Sequence, residues 1–413
     1  MATGERRGSG SEIRTDVLIV GGGLVGGTLA CALGGAGLNV VVIDAADPAS
    51  VLGAGFDGRA SAIALSSRRL LERTGLWPRM RNEAAPMLDI RVSEGRSRLF
   101  LHYDHHDIGD EPFGHMVENR VFRTAVSQRL GELETVVVMA PARVADLARS
   151  ASAVEARLAD GRRIVAPLAV AAEGRDSPTR DRAGIRLTRW SYRQTAIVCT
   201  VAHERPHHFV AHEHFLPAGP FAILPLLGNR SSIVWTERTD LASAIMALDD
   251  AGFTQELARR FGDFLGRLEV IGPRWSYPLS LQFAEKAVAL RLVLVGDALH
   301  GMHPIAGQGL NMGLRDVAAL FDVLAEARDL GLDLGGADVL ERYQRWRRFD
   351  NALMLAMTDG LNRLFSNNIW PLRLARDVGM AGVDRIPPLK KLFMRHAMGV
   401  VGELPSLMRE QPG

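Results

Sequence analysis

The stretch Asp16-Val-Leu-Ile-Val-Gly-Gly-Gly-Leu-Val-Gly26 decides the fold of this 413-residue chain. Its apolar half is typical of a strand that is buried on both faces, and the small residues Gly27–Leu33 predict a helix directly after it. Gly21, Gly23 and Gly26 stand between these two elements at the G-x-G-x-x-G spacing. In this spacing the first glycine makes the turn, the second lets a pyrophosphate approach the backbone, and the third lets the helix pack closely on the strand.

A second predicted strand, Asn39–Ile43, ends at an acidic residue, Asp44. Asp44 follows Gly26 by 44 − 26 = 18 residues, which suits a carboxylate that binds a ribose hydroxyl. Strand, glycine turn, helix and acid together predict a Rossmann-like nucleotide-binding unit. The pattern alone does not distinguish NAD from FAD.

A second glycine-rich stretch lies far downstream, in Arg291–Gly313. A short apolar strand ends there at Gly296-Asp297, and ligands of open α/β sheets bind at such strand ends. Helical composition from Gly309 onward predicts outward-pointing N–H groups that stabilise an anion. A nucleotide site at Asp44 and a second site at Asp297 imply one long cofactor that spans both. FAD has the required length, so the sequence predicts FAD.

Length and composition limit the class of protein. The chain exceeds the usual size of a single core, so we expect two or three lobes. Cys31 and Cys199 are the only cysteines, which predicts no disulfide framework and fits a reducing cytoplasm. The net charge of +2 is too small to indicate nucleic-acid binding. Residues 1–14 are polar and basic and predict a disordered lead, and no apolar stretch approaches the roughly 20 residues that span a bilayer.

These motifs resemble those of the single-component FAD-dependent aromatic hydroxylases of the 4-hydroxybenzoate hydroxylase type, and most of all the ubiquinone-biosynthesis hydroxylases. The resemblance covers nearly the whole chain. It implies that Gly296 and Asp297 hold the ribityl chain of FAD and that the segment Pro304–Met312 faces the flavin ring. The cofactor-binding residues expected in that segment are Pro304, Gly307, Gln308, Gly309, Leu310 and Asn311.

The resemblance also assigns a middle motif, Ala172-Glu-Gly-Arg-Asp-Ser-Pro-Thr-Arg180, to both FAD and NAD(P)H. Glu173 replaces the aspartate that is usual in the family. The extra methylene keeps the charge and moves the carboxylate, so Gly174 and Arg180 carry over more firmly than Glu173.

Three further segments fit the same family. The segment Asp57–Ser66 places Arg59 beside the flavin, although an ordinary surface ion pair is an alternative role for this arginine. The segment Gly114–Arg123 offers Asn119 and Arg123 as polar contacts to FAD. The segment Phe215–Leu226 resembles the sheet wall over the substrate.

The expected fold is α/β: a Rossmann-like FAD-binding domain with an inserted substrate domain on a mainly antiparallel sheet, followed by C-terminal helices. We predict the disordered lead at 1–14, the FAD-binding domain at 15–85, 104–185 and 286–345, the substrate domain at 86–103 and 186–285, and the C-terminal helical region at 346–413.

The function implied by the resemblance is an FAD-dependent monooxygenase that uses NADPH or NADH and O₂ to hydroxylate the ring of a polyprenylated phenol, a ubiquinone precursor. No tyrosine or other side chain is assigned a catalytic role. Two alternatives stay open: a hydroxylase of a soluble aromatic compound, and a flavin-binding partner of a membrane-associated ubiquinone-biosynthesis complex with little activity of its own.

The C-terminal region and the histidines admit more than one interpretation. Leucines and phenylalanines between 361 and 394 alternate with arginines and lysines, which fits either a membrane surface or a helix packed on the FAD domain, so we expect a cytoplasmic protein that is peripheral on the inner face of the membrane or free of it. The groups around His105 and His212 carry enough ligands for a metal, but their positions in expected strands favour no metal site. His300 and His303 are expected to pack or form hydrogen bonds near the cofactor.

Overall fold

The computed structural model describes residues 12–53, 57–94, 100–301, 308–348, 350 and 386–410. Its labelled helices are α1 (Leu24–Gly35), α2 (Pro48–Leu52), α3 (Leu65–Arg73), α4 (Asn119–Gly131), α5 (Pro178–Arg182), α6 (Thr239–Met246), α7 (Asp250–Phe261), α8 (Gln308–Asp329) and α9 (Pro387–Ala397). Residues 337–348 are also helical.

The strands are β1 (Glu12–Arg14), β2 (Val17–Val20), β3 (Val40–Ile43), β4 (Ala60–Ala64), β5 (Ala84–Met87), β6 (Asp89–Glu94), β7 (Phe100–Asp104), β8 (Gly114–Glu118), β9 (Val136–Met139), β10 (Val144–Arg149), β11 (Val154–Leu158), β12 (Arg163–Ala166), β13 (Leu168–Ala171), β14 (Leu187–His203), β15 (Val210–Leu216), β16 (Gly219–Leu226), β17 (Arg230–Arg238), β18 (Leu268–Ala284), β19 (Val288–Ala289), β20 (Leu292–Leu294) and β21 (His300–Gly301).

A mainly parallel sheet with the order β19-β20-β13-β2-β3-β9 forms the centre of the nucleotide-binding part. Its central strands are fully buried, as their continuous runs of valine, leucine and isoleucine predict. The chain passes from β2 through α1 to β3 on one side, while β13 pairs on the other side. This reversal between β2 and β13 makes a topological switch point, where α/β proteins bind ligands.

An eight-stranded sheet with the order β21-β18-β14-β17-β16-β15-β6-β7 lies beside this unit. Its pairs are antiparallel except β15 with β6. Helices α6 and α7 cover one face through a core that includes Phe221, Trp235 and Phe253. The opposite face contacts a three-stranded sheet, β4-β8-β5. The α/β fold class with a mainly antiparallel second sheet is therefore confirmed, while the exact domain boundaries stay a prediction.

The predicted disordered lead at 1–14 is too long by at least its last three residues. Glu12–Arg14 forms β1, which pairs in parallel with β12 at the edge of a four-stranded sheet. The reason is that Ile13 packs against the core between the two sheets and Glu12 pairs with the Arg163 guanidinium. Non-local contacts of this kind leave no trace in the composition of a short polar segment.

The C-terminal part is described only from 386 to 410. The basic and apolar residues between 361 and 376, for which the sequence predicts a membrane surface or a packed helix, lie outside the described residues. Within the described ranges, no helix has both the length and the apolar character needed to cross a bilayer.

Candidate active site

The three glycine-bearing motifs and Asp44 meet at one edge of the parallel sheet. Strand β2 pairs with β3 through Val20 and Ile43 and with β13 through Val20 and Ala171, and β13 pairs with β20 through Ala171 and Leu294. The residues that follow these four strands therefore lie side by side. The sheet register thus brings together Gly21, Asp44, Gly174 and Asp297, which are far apart in the sequence.

The glycine turn after β2 has one crowded side and one open side. Gly21 has a φ of +104°, and a Cβ there would lie 2.4 Å from the Ala172 carbonyl oxygen; a Cβ on Gly26 would lie 2.0 Å from the Gly21 oxygen. A Cβ on Gly23 would meet nothing within 4 Å. Helix α1 begins here without a side-chain cap and without an acidic residue in its first turn. Free N–H groups and open space at Gly23 fit a pyrophosphate.

Asp44 is held beside this turn by backbone donors. Its Oδ2 accepts a hydrogen bond from the Gly22 N–H at 2.5 Å, and its Oδ1 accepts one from the Ala46 N–H at 2.7 Å. These bonds fix the carboxylate at the tip of β3 while part of the side chain stays exposed. The placement fits a contact to a ribose hydroxyl.

Asp297 presents a partly exposed carboxylate that makes one long ion pair with Arg175 among the described residues. Its side chain is 47% exposed, the Arg175 Nε lies 4.0 Å away, and among the described residues no hydrogen bond reaches its carboxylate oxygens. Desolvation by the surrounding protein raises the pKa of Asp297, while Arg175 and His300 act in the opposite direction. A partly exposed carboxylate at this strand end fits an acceptor for a ribityl hydroxyl.

A buried ionic network holds the turn at Gly296-Asp297 in place. Asp316 is fully buried and accepts hydrogen bonds from the Gly296 N–H at 2.9 Å, His300 Nε2 at 2.7 Å and Arg347 Nε at 2.7 Å. Burial alone would raise the pKa of Asp316, but His300 and Arg347 hold it below its usual value. The sequence predicted a local role for His300 and did not identify Asp316 or Arg347. His303 lies outside the described residues.

Glu173 acts as a helix cap. Its Oε2 accepts from the Ser177 hydroxyl at 2.6 Å and from the Thr179 N–H at 3.1 Å, at the start of α5. Gly174, with a φ of +84°, turns the chain just before. Arg180 is 1% exposed and donates to the carbonyl oxygens of Arg175 and Ala298. The carboxylate of Glu173 therefore shapes the middle motif, and Arg180 joins that motif to the Gly-Asp turn.

Gln282 on β18 is a site residue that sequence reasoning missed. Its Nε2 donates to the Arg175 carbonyl oxygen at 2.9 Å and to the Asp297 carbonyl oxygen at 3.2 Å, and the side chain is fully buried. Arg175 in turn donates to the Ser280 hydroxyl at 2.7 Å. These bonds attach the eight-stranded sheet to two cofactor motifs. No local sequence signal marks a glutamine in a strand for this role.

The Arg59 loop lies between the eight-stranded sheet and α4. Arg59 makes an ion pair with Asp57, with Nη2 at 2.7 Å from Oδ2, and its guanidinium carbon lies 4.8 Å from the centroid of the Trp275 ring. Arg123 Nη1 lies 3.4 Å from the same Asp57 oxygen. The Asn119 N–H donates to the Arg59 carbonyl oxygen at 2.9 Å. Arg59, Asn119 and Arg123 are thus brought together, and the ion pair of Arg59 is partly buried, while its role beside the flavin stays a prediction.

The start of α8 holds the small sheet in place. The Asn311 Oδ1 accepts from the Ala64 N–H and its Nδ2 donates to the Ala62 carbonyl oxygen, both at 2.9 Å. These side-chain atoms therefore bind β4, so a contact from the Asn311 side chain to FAD, as predicted, would compete with these two bonds. A Cβ on Gly309 would meet nothing within 4 Å, and Leu310 packs against the main core. Pro304 and Gly307 lie outside the described residues.

The histidine groups have structural partners. The donor atoms of Asp104, His105 and His106 lie within 4.8 Å of one another. However, Asp104 Oδ1 accepts from both the backbone N–H and the Nδ1 of His106 at 2.9 Å, which caps a short turn. This arrangement explains the cluster without an ion.

The family of this chain follows from its similarity to known proteins. A family model described as "FAD binding domain" matches residues 14–353. The ubiquinone hydroxylase UbiL of Rhodospirillum rubrum is 56% identical over 414 residues, which cover 100% of this chain and 96% of that protein. The chain belongs to the family of FAD-dependent aromatic hydroxylases. The 3-demethoxyubiquinol 3-hydroxylase of Escherichia coli is 35% identical and covers 94% of this chain and 99% of that protein.

Solved structures show the same fold. The p-nitrophenol 4-monooxygenase PnpA from Pseudomonas putida superposes with a TM-score of 0.78 at 20% identity, covering 94% of this chain and 98% of that chain. FAD as the cofactor, NAD(P)H as the reductant and the monooxygenase class are confirmed by family membership.

Proposed function

We propose that this protein hydroxylates the aromatic ring of a polyprenylated phenol in ubiquinone biosynthesis, with FAD as cofactor, NAD(P)H as reductant and O₂ as the oxygen source. The observation that carries this proposal is the 56% identity to a ubiquinone hydroxylase over the full length of both chains. The aligned region spans the whole chain, so it covers the cofactor edge, the sheet face beside it and the strands between them.

The proposal assigns each part of FAD to a part of the sheet edge. The open space at Gly23 and the free N–H groups of α1 support a pyrophosphate there, and the partly exposed carboxylate of Asp297 supports a ribityl contact. The proposed cofactor-binding residues in the described part of the chain are Gly21, Gly23, Gly26, Asp44, Arg59, Asn119, Arg123, Gly174, Asp297, Gln308, Gly309, Leu310 and Asn311.

When bound, FAD accepts a hydride from NAD(P)H and activates O₂ for transfer to the ring. The chain itself has to hold the cofactor, exclude water and orient the phenol. The first turn of α8 presents backbone N–H groups that favour negative charge beside it. Val198, Ala222 and Val234 form an apolar row on one face of the eight-stranded sheet, against which a phenol ring can pack.

The experiment is an absorbance spectrum of the purified protein, followed by NAD(P)H oxidation under air with a short-chain prenylphenol, with 4-hydroxybenzoate, and without a phenol. We expect a flavin spectrum, faster oxidation with the prenylphenol, and a product that carries one added oxygen by mass spectrometry. Asp297→Ala serves as the cofactor control, because loss of the ribityl contact is expected to yield mostly apoprotein.

Other outcomes select the alternatives. Stimulation by the soluble phenol alone would identify a hydroxylase of soluble aromatics. A flavin protein that no phenol stimulates, and that raises the activity of co-purifying enzymes, would identify a partner in a biosynthetic complex. A colourless protein that FAD cannot reconstitute would overturn the proposal.

We further propose that α9 contacts the membrane that holds a prenylated substrate. Ile386, Leu392 and Phe393 are exposed, and Lys391 and Arg395 are exposed beside them. Exposed apolar side chains flanked by cations favour an anionic bilayer surface. Sedimentation with vesicles of phosphatidylcholine and phosphatidylglycerol tests this: Leu392→Glu should reduce binding, Leu290→Glu, at another exposed leucine, should not, and equal binding by both variants would contradict the proposal.

A further inference from the structure

Strand β15 carries a glutamate among apolar neighbours. Glu213 pairs with Ala222 on β16 and with Val92 on β6, and paired residues place their side chains on the same face of a sheet. Since side chains alternate along a strand, Ala211 and Phe215 share this face, whereas His212 and His214 point to the opposite one. Glu213 is therefore a carboxylate set in an apolar strip.

The sheet register shows which face this is. Glu213 pairs with Ala222, Ala222 with Val234, Val234 with Val198, and Val198 with Trp275, so five strands contribute one row of side chains. Trp275, at the end of the row, donates from Nε1 to the Asp57 carbonyl oxygen at 2.6 Å and stacks on Arg59. The row spans about 19 Å, because neighbouring strands lie about 4.8 Å apart.

The other end of the same face packs against the small sheet of the cofactor unit. Ala211 belongs to a cluster with Leu65, Ala85 and Met116. Strand β4 of the small sheet is held by Asn311 at the start of α8. The face that bears Glu213, which we call the site face, thus looks toward the elements proposed to surround the flavin ring.

The Glu213 carboxyl has no partner in the described part of the chain, where no hydrogen bond or ion pair reaches it. Desolvation raises the pKa of Glu213 to about 7, and no charged neighbour contributes to the shift. The titratable groups nearest on its face are Glu94 on β6 and Tyr103 on β7, and both have interactions of their own. A carboxylate without a donor in an apolar wall is costly, and such groups are frequent at functional sites.

We propose that Glu213 binds the phenol hydroxyl of the substrate and thereby orients the ring on the site face. This inference rests on the proposed function. A flat aromatic ring fits an apolar wall, and its hydroxyl is the donor that the carboxylate lacks. The charge-assisted hydrogen bond draws the phenolic proton toward the carboxylate, which increases the electron density of the ring that is to be hydroxylated.

Glu213→Gln tests the proposal, because it keeps the size of the side chain and removes its charge. Loss of one charge-assisted hydrogen bond is expected to lower kcat/KM for the phenol about 10-fold to 100-fold and to lower the product formed per NAD(P)H consumed. FAD content should be unchanged. If Glu213 has a structural role, Glu213→Gln should unfold at a lower temperature than the wild-type protein. If the carboxylate has no partner, Glu213→Gln should unfold at an equal or higher temperature, and Glu213→Leu should change in the same direction.

His214→Gln is the matched control. His214 lies one residue away on the opposite face and forms a hydrogen bond with the Ser93 hydroxyl at 2.7 Å, which glutamine can replace. This variant should hydroxylate as the wild-type protein does. The wild-type protein should also gain product per NAD(P)H as the pH rises through about 7, and Glu213→Gln should lose that dependence.

The outcomes separate the two proposals. If wild-type oxidation is stimulated by a phenol and Glu213→Gln matches it in kcat/KM and product yield, the assignment of Glu213 is wrong and the proposed function stands. If Glu213→Gln loses FAD or unfolds at a lower temperature, Glu213 is a structural residue and the assignment is also overturned. If no phenol stimulates the wild-type protein, the proposed function fails and the assignment of Glu213 fails with it.

Discussion

Asp316, which is fully buried, and Glu213, which is partly buried, lie in different parts of the molecule and differ in their partners. Asp316, behind the cofactor edge of the parallel sheet, accepts hydrogen bonds from Gly296, His300 and Arg347. Glu213, on the site face of the eight-stranded sheet, has no partner in the described chain. Behind the cofactor edge, buried charges therefore pair with one another, while Asp297 at the edge stays partly exposed. On the site face the Glu213 carboxyl has no hydrogen-bond donor among the described residues, which lowers the stability of the protein. A ligand that donates a hydrogen bond can restore this stability.

The largest expected effect is at Asp316. Asp316→Asn removes one of the two carboxylates that, within the described residues, pair with the fully buried Arg347, and the only one of the two that is itself fully buried, and should lower the free energy of unfolding by about 3–5 kcal/mol. Urea denaturation followed by circular dichroism measures this. The control Asp329→Asn lies on the same helix and breaks an exposed pair with Arg328, so it should change stability by less than about 0.5 kcal/mol. Equal effects of the two variants would show that the buried ion pairs of Asp316 contribute no more to stability than an exposed pair does.

The glycine turn separates folding from cofactor binding. Gly26→Ala would place a methyl group 2.0 Å from the Gly21 oxygen and should destabilise the fold by about 1–3 kcal/mol. Gly23→Ala meets nothing within 4 Å, so stability without added FAD should change by about 0.5 kcal/mol at most while FAD affinity falls. Denaturation and a titration of flavin fluorescence distinguish these effects. Normal FAD affinity in Gly23→Ala would refute the placement of the pyrophosphate.

The pH dependence of stability sharpens the comparison at Glu213. Desolvation raises the pKa of this carboxyl from its ordinary 4.5 to about 7, so between these pH values the folded state binds more protons than the unfolded state. The stability that Glu213 contributes to the wild-type protein therefore falls as the pH rises through that range, and the loss is complete above about pH 7. Glu213→Gln should be more stable than wild type by about 2 kcal/mol at pH 8 and by clearly less at pH 5. A constant difference, measured by urea denaturation, would show that Glu213 has a partner.

The smallest effect is expected at Glu173. Glu173→Ala removes the acceptor for the Ser177 hydroxyl and the Thr179 N–H at the start of α5 and should cost about 1 kcal/mol. Asp176→Ala, in the same loop, removes a side chain that is 86% exposed and should have little effect. If thermal unfolding shows Glu173→Ala to be neutral, the middle motif is not held by this cap.

The cofactor edge could be predicted because each part of it has a local cause. The spacing of Gly21, Gly23 and Gly26 is set by one turn between one strand and one helix, and Asp44 and Asp297 each end a strand that the sequence shows directly. Parallel strands bring such ends together whatever the rest of the chain does. The fold class and the FAD cofactor therefore followed from the sequence and from the family resemblance that these motifs carry.

Only the tertiary structure decided which side chains support the edge and which lie on the site face. Gln282 reaches Asp297 because β18 runs beside the cofactor motifs, and Asn311 binds β4 instead of pointing its side chain outward. The position of Glu213 on the site face depends on the register of five strands, and a shift of one residue would turn it to the opposite face. The sequence by itself determined the local turns and strand ends of this protein, whereas pairing between distant segments determined its support network and its substrate wall, because register and packing are properties of the whole chain.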